Sequence, residues 1–295
     1  MVRKWQGPVS TCYVPWDADA DWPFVLYSVH EGLKRGRRDH EYFTEFFDNS
    51  IAAMVYHSNK LEQTLHHDVL EGDTYVMIQK FMSGERKPPE SRDWDAEGGR
   101  DQMCASSERQ LYQYLAAARF LCEEHINDDL TVDIICECHR IMMEGSTSYG
   151  VPTKSTLRTE LANAGFYVFI APEHIRRGLQ MMLSAYKTER DRGMHPTELA
   201  TQLFYDFITI HPFVNGNGRL CRLLISYSLM RDGFLFYLSF STGHKGRRQH
   251  YLHAINTARI PVIGSRKELN CILLLSCQRG LGNYFENLRV AGFNK

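Results

Sequence analysis

The residues best suited to chemistry stand in one stretch of the 295-residue chain, His211-Pro-Phe-Val-Asn-Gly-Asn-Gly-Arg219, which Arg222 follows. Glycine and asparagine adopt positive φ at little cost, so successive backbone N–H groups of residues 215–218 can converge on an anion. A helix is predicted directly afterwards, because apolar residues recur there at helical spacing, at Leu220, Leu223, Leu224 and Tyr227. The stretch therefore predicts an anion-binding loop at a helix N-terminus, where the helix dipole also favours negative charge.

Three basic side chains accompany this loop. His211 ends the preceding helix, since a following proline disfavours helical backbone, and imidazole has an ordinary pKa suited to proton removal near neutral pH. Arg219 and Arg222 are three residues apart, so both guanidinium groups can hold phosphate oxygens from the first helical turn. A base, a phosphate cradle and a charge clamp together predict phosphoryl or nucleotidyl transfer. The alternative is an ordinary turn that follows a structural histidine.

This stretch resembles the signature of the Fic family, H-P-F-x-(D/E/N)-G-N-G-R-x-x-R, and the resemblance covers about residues 105–260. It implies a protein adenylyltransferase, which uses ATP and Mg²⁺ to place AMP on a Ser, Thr or Tyr hydroxyl of a target protein and releases pyrophosphate. It also implies that His211 deprotonates that hydroxyl, that Arg222 pairs with the γ-phosphate and that Phe213 anchors the loop in the core. The α- and β-phosphates would be bound by Gly216, Asn217, Gly218 and Arg219.

Asn215 departs from the pattern of most active members, which carry Asp or Glu at this position as a ligand of Mg²⁺ beside the phosphates. An amide offers a neutral oxygen, still a hard ligand but without charge. We therefore expect Asn215 to be a weak metal ligand and expect Mg²⁺ to be held largely by the phosphates.

The resemblance further implies a β-hairpin flap that holds the target segment by strand addition. Residues 165–172, Gly-Phe-Tyr-Val-Phe-Ile-Ala-Pro, have the β-branched and aromatic composition of a short hairpin. We assign the flap to Phe166, Tyr167, Val168, Phe169 and Ile170. The alternative is a hairpin that only covers the core.

One class of the family carries an inhibitory helix with the pattern (S/T)-x-x-x-E-(G/N). Ser58-Asn-Lys-Leu-Glu62-Gln63 matches it except at Gln63, and it closes a helix that the periodicity predicts from Tyr42 to Leu61. Ser58 and Glu62 are four residues apart and so share one helix face. Our hypothesis is that the Glu62 carboxylate pairs with Arg222, occupies the position of the γ-phosphate and inhibits the enzyme.

Several functions remain open beside adenylylation. The same fold could transfer another nucleotide or phosphocholine, or could remove AMP with Glu62 positioning a water molecule. A catalytically idle binding domain is favoured by Asn215 and opposed by the intact basic residues of the signature. A homo-oligomer is also left open, and Tyr251 and Asn256 lie where relatives build an adenine pocket.

Helical periodicity dominates the elements that must position these residues, which predicts an all-α, Fic-type helical bundle with one short hairpin. Beside the helix that ends at Leu61, helices are predicted over residues 108–125, after a cap at Asp129 or Thr131, after Pro172, and over 196–210, 220–233, 248–257 and from about 266. Residues 84–102 are polar and rich in Pro and Gly, which predicts a loop. The predicted organisation is an irregular arm (1–40), N-terminal helices with the inhibitory helix (41–104), a Fic core (105–260) and a C-terminal helix packed on the core (261–295).

Composition excludes some classes of protein. A formal net charge of −1 does not suggest a general nucleic-acid binder, which would usually carry a basic surplus. No segment reaches the ~18 consecutive apolar residues of a membrane-spanning helix, and no signal peptide is evident at the start. The eight cysteines show no C-x-x-C spacing. We therefore expect reduced thiols and a cytoplasmic protein.

Overall fold

The computed structural model describes residues 40–65, 69–87, 99–144, 147–148, 151–152, 156–240, 247–262 and 264–290. The predicted N-terminal arm therefore lies almost wholly outside the described residues. Helices account for most of the rest, and the prediction of an all-α fold is confirmed. Within the described residues the α-helices are α1 (His40–Leu61), α2 (Glu71–Ser83), α3 (Gly99–Arg119), α4 (Val132–Met143), α5 (Ile175–Asp191), α6 (Pro196–Ile210), α7 (Asn217–Arg231), α8 (Arg247–Ala258) and α9 (Lys267–Val290).

Two short antiparallel strand pairs interrupt the helices between α4 and α5. Strand β1 (Thr147–Ser148) pairs with β2 (Val151–Pro152), and β3 (Asn163–Ala164) pairs with β4 (Tyr167–Val168). The predicted hairpin therefore exists, but it begins upstream of residues 165–172. Gly165, with φ of 60°, occupies the turn instead of a strand. Aromatic composition located β4 and could not locate β3, because Asn163 and Ala164 carry no strand signal of their own.

Helices α6 and α7 form the centre of the molecule. The predicted inner face of α6 is buried throughout, at Leu199, Leu203, Phe207 and Ile210. Helix α7 is buried on nearly every side over residues 219–229, which is the pattern of a core helix. Helices α5 and α9 pack on α6, and α1 and α4 pack on α7. The loop of residues 211–216 joins these two central helices and is therefore held by the most buried part of the fold.

Helix α3 buries the predicted face at Leu111, Leu115, Ala118 and Leu121, and it continues as a π-helical turn over residues 120–124. Of the two predicted caps of α4, Thr131 is the one used: its Oγ1 accepts a hydrogen bond from the Ile134 N–H at 3.1 Å. Asp129 instead pairs with Lys187 and, at 2.8 Å, with Arg231.

One helix begins earlier than the sequence predicts, and another was not predicted. Helix α3 begins at Gly99, so residues 99–102 are helical although their polar composition predicted a loop. Helix α2 was not predicted, and its buried face consists of only three residues, Thr74, Ile78 and Phe81. In both cases packing against neighbouring helices overrides weak local preference.

No helix within the described residues is long and apolar enough to cross a membrane. Five of the described cysteines are free thiols, as predicted: Cys122, Cys136, Cys138, Cys221 and Cys277.

Candidate active site

His211 follows the last residue of α6 and adopts the left-handed conformation, with φ of 50° and ψ of 62°. Its backbone N–H donates to the Phe207 carbonyl oxygen at 3.0 Å, which closes the helix. The imidazole stacks on the ring of Phe169, with centroids 4.1 Å apart and planes 13° apart. The sharp exit from α6 therefore turns the histidine toward the hairpin side of the loop.

The pKa of His211 is lowered to about 4, chiefly by burial. A hydrogen bond with the Ile208 backbone opposes this shift, as does Glu62, whereas the nearby guanidinium groups of Arg158 and Arg259 add to it. The ring is consequently neutral at physiological pH. A neutral imidazole is the form that can accept a proton from a hydroxyl.

The loop after His211 is held by side-chain contacts with its own backbone. The Asn217 amide donates from Nδ2 to the Phe213 carbonyl at 2.7 Å and accepts at Oδ1 from the Phe213 N–H at 3.0 Å. Phe213 is fully buried and stacks on His139 with centroids 3.7 Å apart, which places it where the sequence predicts an anchor. His139 Nε2 lies 2.9 Å from the Asn215 carbonyl oxygen. Asn217 therefore shapes the loop with its side chain and can offer an anion only its backbone.

Two glycines in the loop are required by close approach. At Gly216, with φ of 78°, an added Cβ would lie 2.8 Å from Met143 Sδ and 3.2 Å from His139 Nε2. At Gly218 an added Cβ would collide with the carboxylate of Glu62. Helix α7 begins at Asn217 with no side chain capping it, so Asn217 and Gly218 are helical although the sequence predicted a non-helical loop there. The carboxylate thus stands against the first turn of an uncapped helix N-terminus, where the dipole favours an anion.

Glu62 and Arg222 form an ion pair, with Oε1 and Nη2 2.7 Å apart. Arg222 is only 3% exposed, and it also donates from Nε to Ser58 Oγ at 2.8 Å and from Nη2 to the Ser58 carbonyl at 3.1 Å. Although burial opposes its charge, Glu62 helps to raise the pKa of Arg222. Gln63, which departs from the inhibitory pattern, adopts a left-handed conformation with φ of 56°. The predicted pairing of Glu62 with Arg222 is therefore present in the structure.

The guanidinium of Arg219 makes a different set of contacts from that of Arg222. Arg219 is 2% exposed, and its guanidinium bonds to neutral groups on α1, α3 and α4, namely Asn59 Oδ1 at 3.3 Å, Gln110 Oε1 and Met143 Sδ at 3.0 Å. Burial lowers its pKa to about 10, which leaves it charged at neutral pH. The expectation that both arginines hold a ligand stays a prediction, but of the two only Arg222 contacts the Glu62 carboxylate. Three-residue spacing places the two on adjacent faces, and the face of Arg219 is covered by helix packing.

The five predicted flap residues separate into two sets. Phe166 at the turn and Val168 in β4 are exposed, whereas Phe169 is buried against His211. Ile170 is half-buried and faces α5, since a Cβ added at Gly178 would lie 3.2 Å from its Cδ1. Tyr167 lies beneath the guanidinium of Arg259, 3.9 Å from its ring centroid. The hairpin is thus fixed on its inner side and open on its outer side.

Asn215 uses its Oδ1 to accept a hydrogen bond from the Gly216 N–H at 2.8 Å. Within the described part of the chain no group of three or more His, Cys, Asp or Glu side chains could hold a metal ion. Of the two predicted adenine-pocket residues, Tyr251 is buried near Arg222 and Asn256 is exposed, so α8 does not bring them to one face.

Arg158 and Arg259 were not singled out in the sequence, yet both lie beside His211. Arg259 donates from Nη2 to the Ile208 carbonyl at 3.2 Å, near the end of α6. Arg158 contacts the carbonyl of His211 itself. Their partners are backbone oxygens and ring faces, so no complementary charge in the sequence could have revealed them.

The central loop of this helical bundle thus combines a neutral histidine with a helix N-terminus, an arrangement that can accept a proton and bind an anion. Residues 129–229 match the model of the Fic/DOC family, and the chain therefore carries a Fic/DOC domain over these residues.

Comparisons with known proteins agree with this assignment. The chain is 33% identical over 125 residues to protein adenylyltransferase fic-1 of Caenorhabditis briggsae, which covers 40% of this chain and 24% of the relative. It is 29% identical over 136 residues to a Fido domain-containing protein of Dictyostelium discoideum, which covers 45% of this chain and 92% of that protein. The chain spans about a quarter of the length of its Caenorhabditis relatives.

Solved structures share the fold beyond the matched region. Fic-1 from Caenorhabditis elegans superposes with a TM-score of 0.68 at 20% identity, over 91% of this chain and 73% of that one. A Fic domain containing signaling protein from Bacteroides thetaiotaomicron superposes with a TM-score of 0.64 at 20% identity, over 89% of this chain and 98% of that one. The helices outside residues 129–229 thus also follow a known arrangement.

Proposed function

We propose that this chain is a protein adenylyltransferase that transfers AMP from ATP to a Ser, Thr or Tyr hydroxyl of a target protein and is inhibited by its own Glu62. One observation carries the proposal. A carboxylate already lies against the first turn of α7 and pairs with Arg222, so this end of the helix is built to receive an anion. Relatives that are protein adenylyltransferases by name support the choice of AMP.

In the proposed reaction the neutral imidazole of His211 accepts the proton of the target hydroxyl. The hydroxyl oxygen attacks the α-phosphorus, the bond from that phosphorus to the bridging oxygen breaks, and pyrophosphate leaves with the bond electrons. Backbone N–H groups at Asn217 and Gly218 would stabilise the negative charge on the phosphates, and that of Gly216 would join them once released from Asn215 Oδ1. Arg222 would hold the γ-phosphate. Arg219 contributes positive charge from beneath the helix.

The residues of the site could accommodate Mg²⁺ only if the ion arrives bound to the nucleotide. Mg²⁺ is commonly bound by substrate phosphates and one or two protein carboxylates. Here the signature position offers the neutral oxygen of Asn215, which is already bonded to the Gly216 N–H. Mg²⁺ bound to ATP would neutralise phosphate charge, and Asn215 would contribute at most one oxygen.

The target segment would lie along the outer side of the β3–β4 hairpin. Phe166 and Val168 are exposed there, and their inner neighbour Phe169 touches the ring of His211. A peptide that added a strand to this edge would bring one of its hydroxyls close to the base.

Inhibition follows from competition for Arg222. ATP has to displace the Glu62 carboxylate before its γ-phosphate can bind, and a charge-assisted hydrogen bond contributes ~1.5–3 kcal/mol. Removal of the carboxylate should therefore raise adenylylation by roughly tenfold to a hundredfold.

Glu62→Gly tests the function and its inhibition together. The measurement is incorporation of labelled AMP, from ATP and Mg²⁺, into the chain itself and into bystander proteins. Glu62→Gln should release part of the inhibition, because the amide keeps the shape and loses the charge. Glu144→Gly is a matched control, since Glu144 also directly follows a helix and its side chain is exposed. Thermal melting of each variant checks the fold.

Each outcome has a stated meaning. A folded Glu62→Gly protein that labels no faster than the wild type would show that Glu62 is not inhibitory. Incorporation from another labelled nucleotide or from a phosphocholine donor, with none from ATP, would replace AMP in the proposal. Loss of an AMP-removing activity in the variant would make Glu62 a hydrolytic residue.

A further inference from the structure

Arg158 makes an unusual set of contacts directly behind the candidate base. It is 4% exposed, and among the described residues its guanidinium donates only to backbone carbonyl oxygens. These are His211 O at 2.8 Å from Nε, Ile170 O at 2.6 Å and Ile210 O at 3.4 Å from Nη2, and Glu160 O at 2.8 Å from Nη1. Its own backbone N–H donates to the Pro212 carbonyl at 2.9 Å.

The carbonyl acceptors come from two parts of the fold. Ile210, His211 and Pro212 belong to the end of α6 and the start of the loop, whereas Glu160 and Ile170 flank the β3–β4 hairpin on either side. A buried cation at a helix C-terminus is stabilised by the helix dipole and by the otherwise unpaired carbonyls there. One rigid guanidinium fork therefore joins the base and the flap.

We propose that Arg158 is a positioning residue that holds His211 in its left-handed backbone conformation and locks it to the hairpin beside it. The inference rests on the proposed function, because it assigns Arg158 a part in presenting the base to a hydroxyl delivered by the flap.

The backbone geometry explains why the carbonyl contact matters. A left-handed conformation is disfavoured for a non-glycine residue and persists where neighbours determine it. The Nε bond to His211 O fixes the peptide plane after the histidine, and the Nη2 bond to Ile170 O fixes the chain directly after Phe169. Phe169 in turn stacks on the imidazole. If the fork were lost, both partners of that stack would be free to move.

The positive charge of Arg158 has a second effect, on the pKa of His211, which can be measured separately from its hydrogen bonds. Among the described residues, the charged groups that face His211 are Arg158 on the segment before the hairpin, Arg259 after α8 and Glu62 after α1. The two arginines disfavour the imidazolium and Glu62 favours it. Neutralising Arg158 should therefore raise the pKa of His211, and replacing it with lysine should keep the charge while removing the fork.

The experiment compares Arg158→Lys and Arg158→Gln with a control variant, Arg177→Gln. Arg177 is an exposed arginine on α5. An NMR titration of the His211 ring measures its pKa in each protein without any need for catalysis. In the Glu62→Gly background, the maximal rate of AMP transfer and the dissociation constant of ATP are measured in parallel. Thermal melting verifies the fold.

We expect Arg158→Gln to raise the pKa of His211 by about half a unit or more. We expect Arg158→Lys to leave that pKa near its wild-type value, to lower the maximal rate by ~10–100-fold and to leave ATP affinity unchanged. If the lysine variant does not fold, Arg158→Gly with added guanidinium chloride at millimolar concentration replaces it. Guanidinium should then restore the rate, and urea, which has a similar shape without the charge, should not.

An unchanged pKa in the glutamine variant together with an unchanged rate in the lysine variant would overturn the assignment. Equal rescue by guanidinium and urea would also overturn it. If the Glu62→Gly protein transfers no AMP, the proposed function fails, but the NMR titration still tests Arg158. A glutamine variant that leaves the His211 pKa unmoved would in that case refute the role of Arg158 independently.

Discussion

At His211 the chain combines a backbone conformation that is unfavourable for a non-glycine residue with a half-buried imidazole whose pKa is lowered chiefly by burial. Strain of this kind costs on the order of 1–3 kcal/mol and persists where surrounding contacts enforce it. Here the Phe207 carbonyl, the Phe169 ring and the Arg158 fork enforce it. The result is a neutral nitrogen base at the edge of an anion-binding loop.

His211→Ala should lower AMP transfer by ~10²-fold or more while ATP affinity is largely retained, since the phosphates are bound by the loop and Arg222. Labelled-AMP incorporation and ATP binding are measured on the same preparation. His174→Ala, an exposed histidine before α5, is the control and should behave as the wild type. Near-normal turnover in His211→Ala would remove the histidine from its proposed role.

Asn215→Asp should lower the Mg²⁺ concentration needed for half-maximal activity and raise the rate, because a charged oxygen replaces a neutral one beside the phosphates. A magnesium titration of both proteins, in the Glu62→Gly background, provides the comparison. The Gly216 N–H can still bond to the new carboxylate, so the loop should keep its shape. Identical midpoints and rates would show that the side chain at 215 does not touch the metal.

At the scale of elements, one hydroxyl near the end of α1 bonds to both α3 and α7. Ser58 Oγ accepts from Arg222 Nε at 2.8 Å and donates to Tyr114 Oη at 2.9 Å. The Tyr114 hydroxyl donates to the Arg219 carbonyl at 2.9 Å, and burial raises its pKa to about 12, which keeps that proton in place. The position of Glu62 beside Arg222 is therefore supported by a hydrogen-bonded chain that spans three helices.

Ser58→Ala should raise AMP transfer, but by less than Glu62→Gly, because the carboxylate remains while its helix is less firmly held. Ser50→Ala is the matched control: Ser50 is also on α1, donates to the Phe47 carbonyl at 2.7 Å and accepts from the Tyr237 N–H at 3.1 Å. Both variants should lose about 1 kcal/mol of unfolding free energy. Equal transfer rates in the two variants would show that the Ser58 hydroxyl does not support inhibition.

The sequence predicted elements well where periodicity was strong and buried faces were long, as in α6 and α3. Helix α2 was not predicted, because three buried residues over thirteen positions give little periodic signal. The start of α7 was placed too late, since glycine and asparagine have low helix propensity and the first turn of a helix tolerates them. The partner strand β3 was missed because its pairing is made by backbone groups.

Across the whole molecule, the site joins residues that are far apart in the chain. Glu62 and Arg222 are 160 positions apart, and their pairing could be predicted only because a family pattern names both. The contacts of Arg158 lie within about fifty positions, but the sequence could not predict them. Every residue has a backbone carbonyl, so residue type does not show which carbonyl accepts from the guanidinium. Opposite charges in a sequence suggest partners, whereas a cation that binds carbonyls suggests none.

The pairing of Glu62 with Arg222 also bears on the end of the reaction cycle. Pyrophosphate, once cleaved, would occupy the same guanidinium that the γ-phosphate held, and its departure would leave a buried cation without a counterion. Glu62 is attached to the chain beside that cation and can return to it without diffusion. Under the proposed function, the carboxylate that competes with ATP for Arg222 would compete in the same way with pyrophosphate, so it would slow the reverse reaction as well as the forward one.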